Sequence, residues 1–230
     1  MAISTSRITL TVMKKYLLGL LLFIVGCSSS NGPASNMYIM PLAVGNRWIG
    51  NVTVTDSTGA VLSTQLDTLP VYGTKVAGGE TWYFQTTFPK VLKAKAGTVG
   101  LTFDTVAYAF TNRSDGLYRN DTFLVDPPRR IAKYPASVGD TVSFSPESIP
   151  IMDFILVHGI AEPVTVPAGT FSCYHYQDWY PTTHASVLAS DSYYAPGVGL
   201  VEFVDSVHNF DHPYAKPNVE RWQLVRADLH

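Results

Sequence analysis

From residue 37 onwards, the chain consists of short runs of β-branched and aromatic residues, and turn residues separate these runs at close intervals. Runs rich in Val, Thr, Tyr and Phe are typical of strands. No window places apolar residues at the 3.6-residue spacing of an amphipathic helix. Apolar and polar residues alternate within the runs, as they do in a sheet with one buried and one wet face. The sequence therefore predicts an all-β fold with one mostly antiparallel sheet, and a sandwich of two packed β layers is the alternative.

The runs and turns together predict where the strands lie. Gly78 and Gly79 suit a two-residue hairpin, and Pro167 with Gly169 suits a tight turn of type II with a positive φ at the glycine. The motif "VTVPAGTFSCYHY", residues 164–176, is thus predicted to be a hairpin and not a catalytic loop. The predicted strands lie at about 48–56, 61–68, 71–77, 80–87, 101–111, 117–125, 139–145, 155–166, 170–179, 187–195, 199–207 and 218–227.

The start of the chain has the pattern of a secretory signal. In "MKKYLLGLLLFIVGC", residues 13–27, two lysines precede an apolar run that is shorter than the ~20 residues needed to span a bilayer. This segment is complete without the twelve residues before it, so Met13 is a second candidate for the start of translation. Its last four residues, Ile-Val-Gly-Cys, resemble the bacterial lipobox. That resemblance implies cleavage before Cys27 and acylation of its thiol.

The organisation predicted from this reading has three parts. Residues 1–26 are a lipoprotein signal peptide, residues 27–37 are the lipidated cysteine and a flexible tether, and residues 38–230 are a single β domain. The anchor predicts attachment to a membrane in the cell envelope. Ser28 follows the cysteine, and by resemblance to the sorting rule of enteric bacteria this favours the outer membrane.

Charge and cysteine content limit the partners of the mature chain. Removal of the signal takes away three of the 16 basic residues and none of the 18 acidic ones, which leaves a net charge of −5. Such a chain lacks the clustered Lys and Arg that bind nucleic acid. Lipidation of Cys27 leaves Cys173 alone, and we expect it to be a small buried hydrophobe. A reactive thiol or an intermolecular bridge is the alternative.

Motifs of known chemistry are few. The chain has no G-x-S-x-G, H-E-x-x-H, C-x-x-C or P-loop pattern. "HNFDH", residues 208–212, contains metal-ligating residue types but reads as a loop, and His158, His175 and His184 are expected to be scattered structural residues. The sequence therefore predicts no metal, no cofactor and no enzymatic activity. An envelope hydrolase is the less favoured alternative.

Several motifs in a fixed order resemble a group of bacterial envelope lipoproteins labelled TapB-like. The resemblance covers nearly the whole mature chain, and it implies a strongly curved sheet or half-barrel around an apolar interior, similar to lipoprotein-carrier folds. It implies no activity. The motifs are "MPLAVGNRWIG" at 40–50, "SDGLYR" at 114–119, "VTVPAGTFSCYHY" at 164–176, "YYAPGVGLVEF" at 193–203 and "RWQLV" at 221–225.

The aromatic content suggests a binding role. Aromatic residues make up 12% of the chain, and a curved sheet with little helix to cover it has to fill or cover its concave face. We therefore expect a protein that binds an apolar ligand or another envelope component, and the alternative is a docking module without a ligand cavity. The expected lining residues are Trp82, Phe84, Phe103, Tyr174 and Tyr193.

Overall fold

The computed structural model describes residues 38–86, 107–120, 127–143, 154–181, 186–207 and 218–230. In these ranges the chain forms twelve strands. None of the described residues belongs to a helix that could cross a membrane. The strands are β1 Arg47–Thr55, β2 Val61–Ala77, β3 Glu80–Thr86, β4 Ala107–Arg113, β5 Gly116–Asn120, β6 Arg129–Lys133, β7 Thr141–Ser143, β8 Phe154–Val166, β9 Gly169–Pro181, β10 Ser186–Ala195, β11 Gly199–Val207 and β12 Asn218–Asp228.

All twelve strands belong to one sheet, in the order β6-β5-β4-β3-β2-β1-β12-β11-β10-β9-β8-β7. Every neighbouring pair is antiparallel. The chain starts in the middle of the sheet, passes strand by strand to one edge, crosses to the opposite edge and returns to the middle. The first and last strands therefore pair with each other at the centre.

The crossing from β6 to β7 requires the sheet to curve. Only residues 134–140 connect these two strands, and that length of chain spans at most about 30 Å. In a flat sheet the edges would be about 50 Å apart, because neighbouring strands lie ~4.8 Å from each other. The predicted all-β, antiparallel and strongly curved sheet is thus confirmed, and the curvature nearly closes the sheet into a barrel.

The strand predictions are largely confirmed, with two corrections. The predicted strands 61–68 and 71–77 are one strand, β2, which pairs with β1 through residues 61–70 and with β3 through residues 71–77. The second correction is the edge strand β6, which contains Arg129, Arg130 and Lys133 and lies where the sequence predicted no strand. Because Ala132 of β6 pairs with Leu117 of β5 and is buried, the sheet fixes this segment.

Large side chains from the central strands fill the concave side of the sheet. Trp48 on β1 and Trp222 on β12 have no exposed surface, and the indole N–H of Trp48 donates a 2.6 Å hydrogen bond to the carbonyl oxygen of Val198. Gly50 lies directly against the ring of Trp222. Trp48, Trp222 and Tyr176 of β9 belong to the same hydrophobic core.

The hairpin of β8 and β9 folds across this core. Its turn, at Pro167 and Ala168, confirms the predicted hairpin, and Gly169 has a φ of +132°. The Ala168 amide donates a 3.0 Å hydrogen bond to the carbonyl oxygen of Leu224 on β12, and Val166 is buried. Positive φ occurs at Gly169, the residue after the two central turn positions, so this is not the predicted type II turn, in which Ala168 would need a positive φ.

Candidate functional site

A group of histidines and carboxylates lies on β8, β9 and β10, on the side of the sheet opposite the core. Cross-strand partners point to the same side of a sheet, and His175 pairs with Tyr193 on β10 and with Gly159 on β8. The neighbouring residue on β9, Tyr176, pairs with the buried Val157 and points into the core. The histidine and its neighbours therefore belong to the outer face.

An irregular stretch of β8 brings a glutamate over this histidine. The register of β8 against β9 shifts between Val157 and Gly159 and again between Gly159 and Glu162. Such bulges re-aim side chains. The Glu162 carboxylate occupies the space that a Cβ atom at residue 159 would need, so glycine is the residue that admits it. The Glu162 carboxylate consequently reaches the imidazole ring of His175.

Both ring nitrogens of His175 contact carboxylates. The distance from Nδ1 to Oε2 of Glu162 is 3.1 Å, and the distance from Nε2 to Oδ1 of Asp191 is 2.7 Å. The histidine is only 6% exposed. A doubly protonated ring donates to both carboxylates, whereas a neutral ring has one N–H and can donate to only one of them. The two carboxylates therefore hold the imidazole ring from both sides.

Asp191 on β10 holds the far side of the ring. Its Oδ1 also accepts a 3.1 Å hydrogen bond from the side-chain amide of Gln177. Burial would raise the pKa of Asp191, but the hydrogen bonds from His175 and Gln177 outweigh it and hold the pKa below its ordinary value. Asp191 is therefore a charged acceptor that fixes the orientation of the imidazole.

Two further rings complete the group. The ring of Tyr193 stacks on His175 with centroids 4.2 Å apart, and the exposed ring of His158 meets His175 edge-on at 4.8 Å. Burial, together with nearby Asp191 and Glu162, raises the pKa of Tyr193 to about 12, so its hydroxyl stays neutral. One ligand atom each from His158, Glu162 and His175 lies within 4.8 Å of the others. These three residues offer two imidazoles and one carboxylate at one point on the surface.

The prediction that these histidines are scattered is wrong for His158 and His175, whereas the buried and hydrogen-bonded ring of His175 agrees with the predicted structural role. His158 and His175 are neighbours, and His184 lies outside the described residues, as do residues 208–212. The hairpin centred on Pro167 and Ala168 contains a signal that could have found the pair. An unbroken hairpin pairs His175 with residue 160, which places His158 diagonally beside it on the same face.

The five aromatic residues predicted to line a groove do not share one surface. Trp82 and Phe84 lie on one side of β3, where Phe84 stacks on Tyr72 at 6.2 Å. Tyr174 and Tyr193 lie on adjacent strands but on opposite sides of the sheet, because Tyr193 pairs with His175 and not with Tyr174. Phe103 and the predicted lipidation site Cys27 lie outside the described residues. Ligand binding by these residues stays a prediction.

The thiol of Cys173 is near the histidine group but takes no part in it. The residue is fully buried and unbridged, as expected. Burial, with a smaller effect of Glu202 and Glu162, raises its pKa to about 12. A thiol that stays protonated at neutral pH is neither a nucleophile nor a metal ligand.

Comparison with known proteins gives two distant structural matches. No family model and no curated protein matches the chain. The first match is the crystal structure of a protein from Bacteroides fragilis that is described as exported, with a YmcC-like fold. It has a TM-score of 0.45 and 14% identity and covers 84% of this chain and 99% of that chain. The second is a protein from Parabacteroides distasonis that is described as a lipoprotein, with a TM-score of 0.36, 13% identity and the same coverage. With so little identity and such partial superposition, neither match supports a statement about the function of this chain.

Proposed function

We propose that this protein is a non-enzymatic, lipid-anchored component of the cell envelope whose β domain binds an apolar molecule. The location rests on the signal and lipobox pattern that ends at Cys27, and Ser28 favours the outer membrane. Membership of the TapB-like group rests on the sequence motifs alone. The binding role rests on one observation, the aromatic seam that is described next.

The β6 end of the sheet contacts side chains of β9 at a seam, which we define as the contact between Lys133 and Tyr134 on one side and Tyr174 and Tyr176 on the other. Among the described residues no strand ladder joins these sides. The Tyr176 hydroxyl donates a 2.7 Å hydrogen bond to the carbonyl oxygen of Lys133, and the ring of Tyr134 meets that of Tyr174 edge-on at 5.2 Å. Side-chain contacts therefore cross the seam, while beside it backbone hydrogen bonds of Gly139 and Asp140 with Val157 hold the connection between β6 and β7 against β8.

The seam is apolar and adjoins the core. Tyr174 and Tyr134 are half-buried and pack against the core residues, and Tyr174 stacks on Tyr176 at 6.4 Å. Burial raises the pKa of Tyr174, which agrees with an apolar surrounding. An acyl chain bound at the seam would replace the contacts between the tyrosine rings with contacts between these rings and the chain. Of the five aromatic residues predicted from the sequence, Tyr174 is the one that belongs to the seam.

Binding of an acyl chain is expected to depend on the seam. We predict saturable binding of a fluorescent fatty acid to the soluble form that begins at Ser28. Tyr174→Ser should weaken binding about tenfold, because one aromatic contact contributes roughly 1 kcal/mol or more. Tyr38→Ser is the matched control, since Tyr38 is an exposed tyrosine outside the seam. The ligand proposal fails if binding does not saturate or if both variants lose the same affinity. If Trp82→Ala alone lost affinity for the fatty acid, the ligand would instead bind on the side of β3 that carries Trp82 and Phe84.

A docking module is the second candidate, and β2 favours it. Residues 61–70 pair with β1 on one side and, among the described residues, pair with no strand on the other. Val61 and Leu66 in this half are 63% and 67% exposed. An exposed edge with apolar side chains can accept an added strand from an extended apolar peptide of a partner. Absence of fatty-acid binding, together with cross-links from Leu66 to a second envelope protein, would support this candidate.

The anchor has its own test. Cys27→Ala is expected to abolish acylation and signal cleavage, so that the unprocessed precursor accumulates and no lipid label is incorporated. Metabolic labelling with a fatty acid and mass spectrometry of the amino terminus measure both effects. Cys173→Ala is the control, because it removes the other cysteine and should be processed normally. Normal maturation of the Cys27 variant would contradict the anchor, and peptides from residues 1–12 would show that translation starts at Met1.

A further inference from the structure

We infer that His158, Glu162 and His175 form a binding site for one divalent transition-metal ion of the zinc type on the outer face of the sheet. Two imidazoles and a carboxylate are the ligand set that suits Zn²⁺ and its neighbours, whereas Ca²⁺ and Mg²⁺ select oxygen ligands. The site is separate from the seam, and it goes beyond the proposed binding of an apolar molecule.

The donor atoms are close to the spacing that one ion imposes. All three lie within 4.8 Å of each other. Ligand atoms about 2.1 Å from a tetrahedral zinc ion lie roughly 3.4 Å apart. Since His158 is exposed and Glu162 is half-buried, rotation of these two side chains supplies the remaining movement. The buried ring of His175 stays in place, and the strands need not move.

Half-buried neighbours orient the central ligand as in known metal sites. A metal-bound histidine usually donates its other ring N–H to a carboxylate, which fixes the ring and strengthens it as a ligand. Here Nε2 of His175 donates to Asp191, and Gln177 in turn holds Asp191. This leaves Nδ1 facing the Glu162 carboxylate at 3.1 Å. In the tautomer that carries its proton on Nε2, the lone pair of Nδ1 is available to bind a metal ion.

The local backbone also fits a site for a ligand. Two register shifts between Val157 and Glu162 distort β8. They place Glu162 above Gly159, where any side chain would displace the carboxylate. Bulges of this kind are common beside functional sites. Solvent reaches the group from the side of His158, so water can fill the remaining coordination positions of the ion.

The competing explanation is a structural clamp, in which the contacts of His175 with two carboxylates stabilise the hairpin and the group binds no ion. The two explanations differ in the role of His158. In the clamp this exposed ring is dispensable, and its donor atom has no function. In the metal site it supplies one of three ligands, so its removal is decisive.

Titration of the metal-free soluble form beginning at Ser28 with zinc chloride tests the inference by calorimetry. We expect one ion per chain, at least tenfold weaker binding for His158→Ala and a loss of tenfold or more for Asp191→Asn. Magnesium chloride should give no binding. His230→Ala is the matched control, because His230 is an exposed histidine outside the group and its variant should bind as the native chain does. Denaturant unfolding of each variant shows whether it is folded.

Cobalt(II) provides a second readout that a structural role would not change. Its visible absorption is expected to be intense and of low-coordinate character in the native chain, and to be lost in His158→Ala. The inference is overturned if zinc does not bind, or if His158→Ala binds as tightly as the native chain. It is also overturned if binding survives in His158→Ala and is lost when His208 and His212 are replaced, since the ion would then belong to residues 208–212.

Discussion

Gly50→Ala is expected to destabilise the protein by about 3 kcal/mol or more. The added methyl group would overlap the ring of Trp222, and that ring is fully buried and cannot move aside. Overpacking of a dense core commonly costs ~1–3 kcal/mol, and more where neither partner can relax. Here β1 and β12 would have to separate at the centre of the sheet. Urea unfolding measures the change in the free energy of unfolding.

Gly73→Ala is the matched control for this substitution. Gly73 also lies in a strand, β2, and the nearest atom to an added Cβ is Cδ2 of Phe84 at 4.0 Å, an ordinary contact. Loss of glycine reduces the freedom of the unfolded chain, so this variant should be unchanged or slightly more stable. Equal destabilisation of both variants would show that strand backbone, and not the Trp222 contact, determines the cost at Gly50.

The native protein is expected to become less stable as the pH rises above 4.5, and Glu220→Gln is expected to abolish this decrease. Glu220 on β12 points into the core side of the sheet, is 2% exposed and pairs with Asp205 on β11. Burial, followed by the charges of Asp205 and Asp67, raises its pKa from 4.5 to about 7. Among the described residues, its Oε2 atom has no hydrogen-bond partner. The buried carboxyl therefore favours its neutral form.

The sign of the effect follows from the two pKa values. Below pH 4.5 the carboxyl is neutral in both states, and its contribution to stability is fully present. Between pH 4.5 and 7 the unfolded chain loses the proton and the folded chain keeps it, so stability falls by about 3 kcal/mol. Glutamine stays neutral throughout. The difference between native and Glu220→Gln free energies of unfolding should thus grow from pH 4.5 to pH 8.

A second glutamate controls for loss of a buried charge. Glu202 on β11 accepts a 2.9 Å hydrogen bond from Gln223 and lies 3.4 Å from Arg221. Because this carboxylate has a donor and a cation beside it, Glu202→Gln should leave the fall with pH in place. A difference between native and Glu220→Gln proteins that is constant from pH 4.5 to 8 would contradict the assignment to Glu220.

Local patterns were sufficient to predict the fold class, because strands and turns depend on nearby residues. The hairpins at Gly78 and at Pro167 lie where turn residues place them. Strand β6 could not be predicted in this way, since its residues are charged and follow two prolines. The strand is held in the sheet because Ala132 packs beside Leu117. One of its positive charges is paired, since Arg130 forms an ion pair of 2.6 Å with Asp115. Tertiary contacts decide the structure of such a segment.

The histidine group shows a different limit of sequence reading. The hairpin predicts that His158 and His175 share a face, but their contact and the approach of Glu162 depend on two register shifts in β8. No simple residue pattern predicts where a β-bulge occurs. Asp191 joins the group from β10 through a pairing that depends on the length of a connection outside the described residues. A diagonal pair was thus predictable from the sequence, and a converging set of three ligands was not.

The pairing of β1 with β12 at the centre of the sheet has a consequence for how the molecule assembles. Thr55 pairs with Val219, a contact between positions 164 residues apart, so a long loop of chain must close before the central ladder can form. Contacts at such separation slow folding. During synthesis β1 emerges first and β12 last, so the middle of the finished sheet is an open edge until the whole chain is released. Each six-strand meander pairs only consecutive strands, and the central ladder between β1 and β12 completes the native sheet.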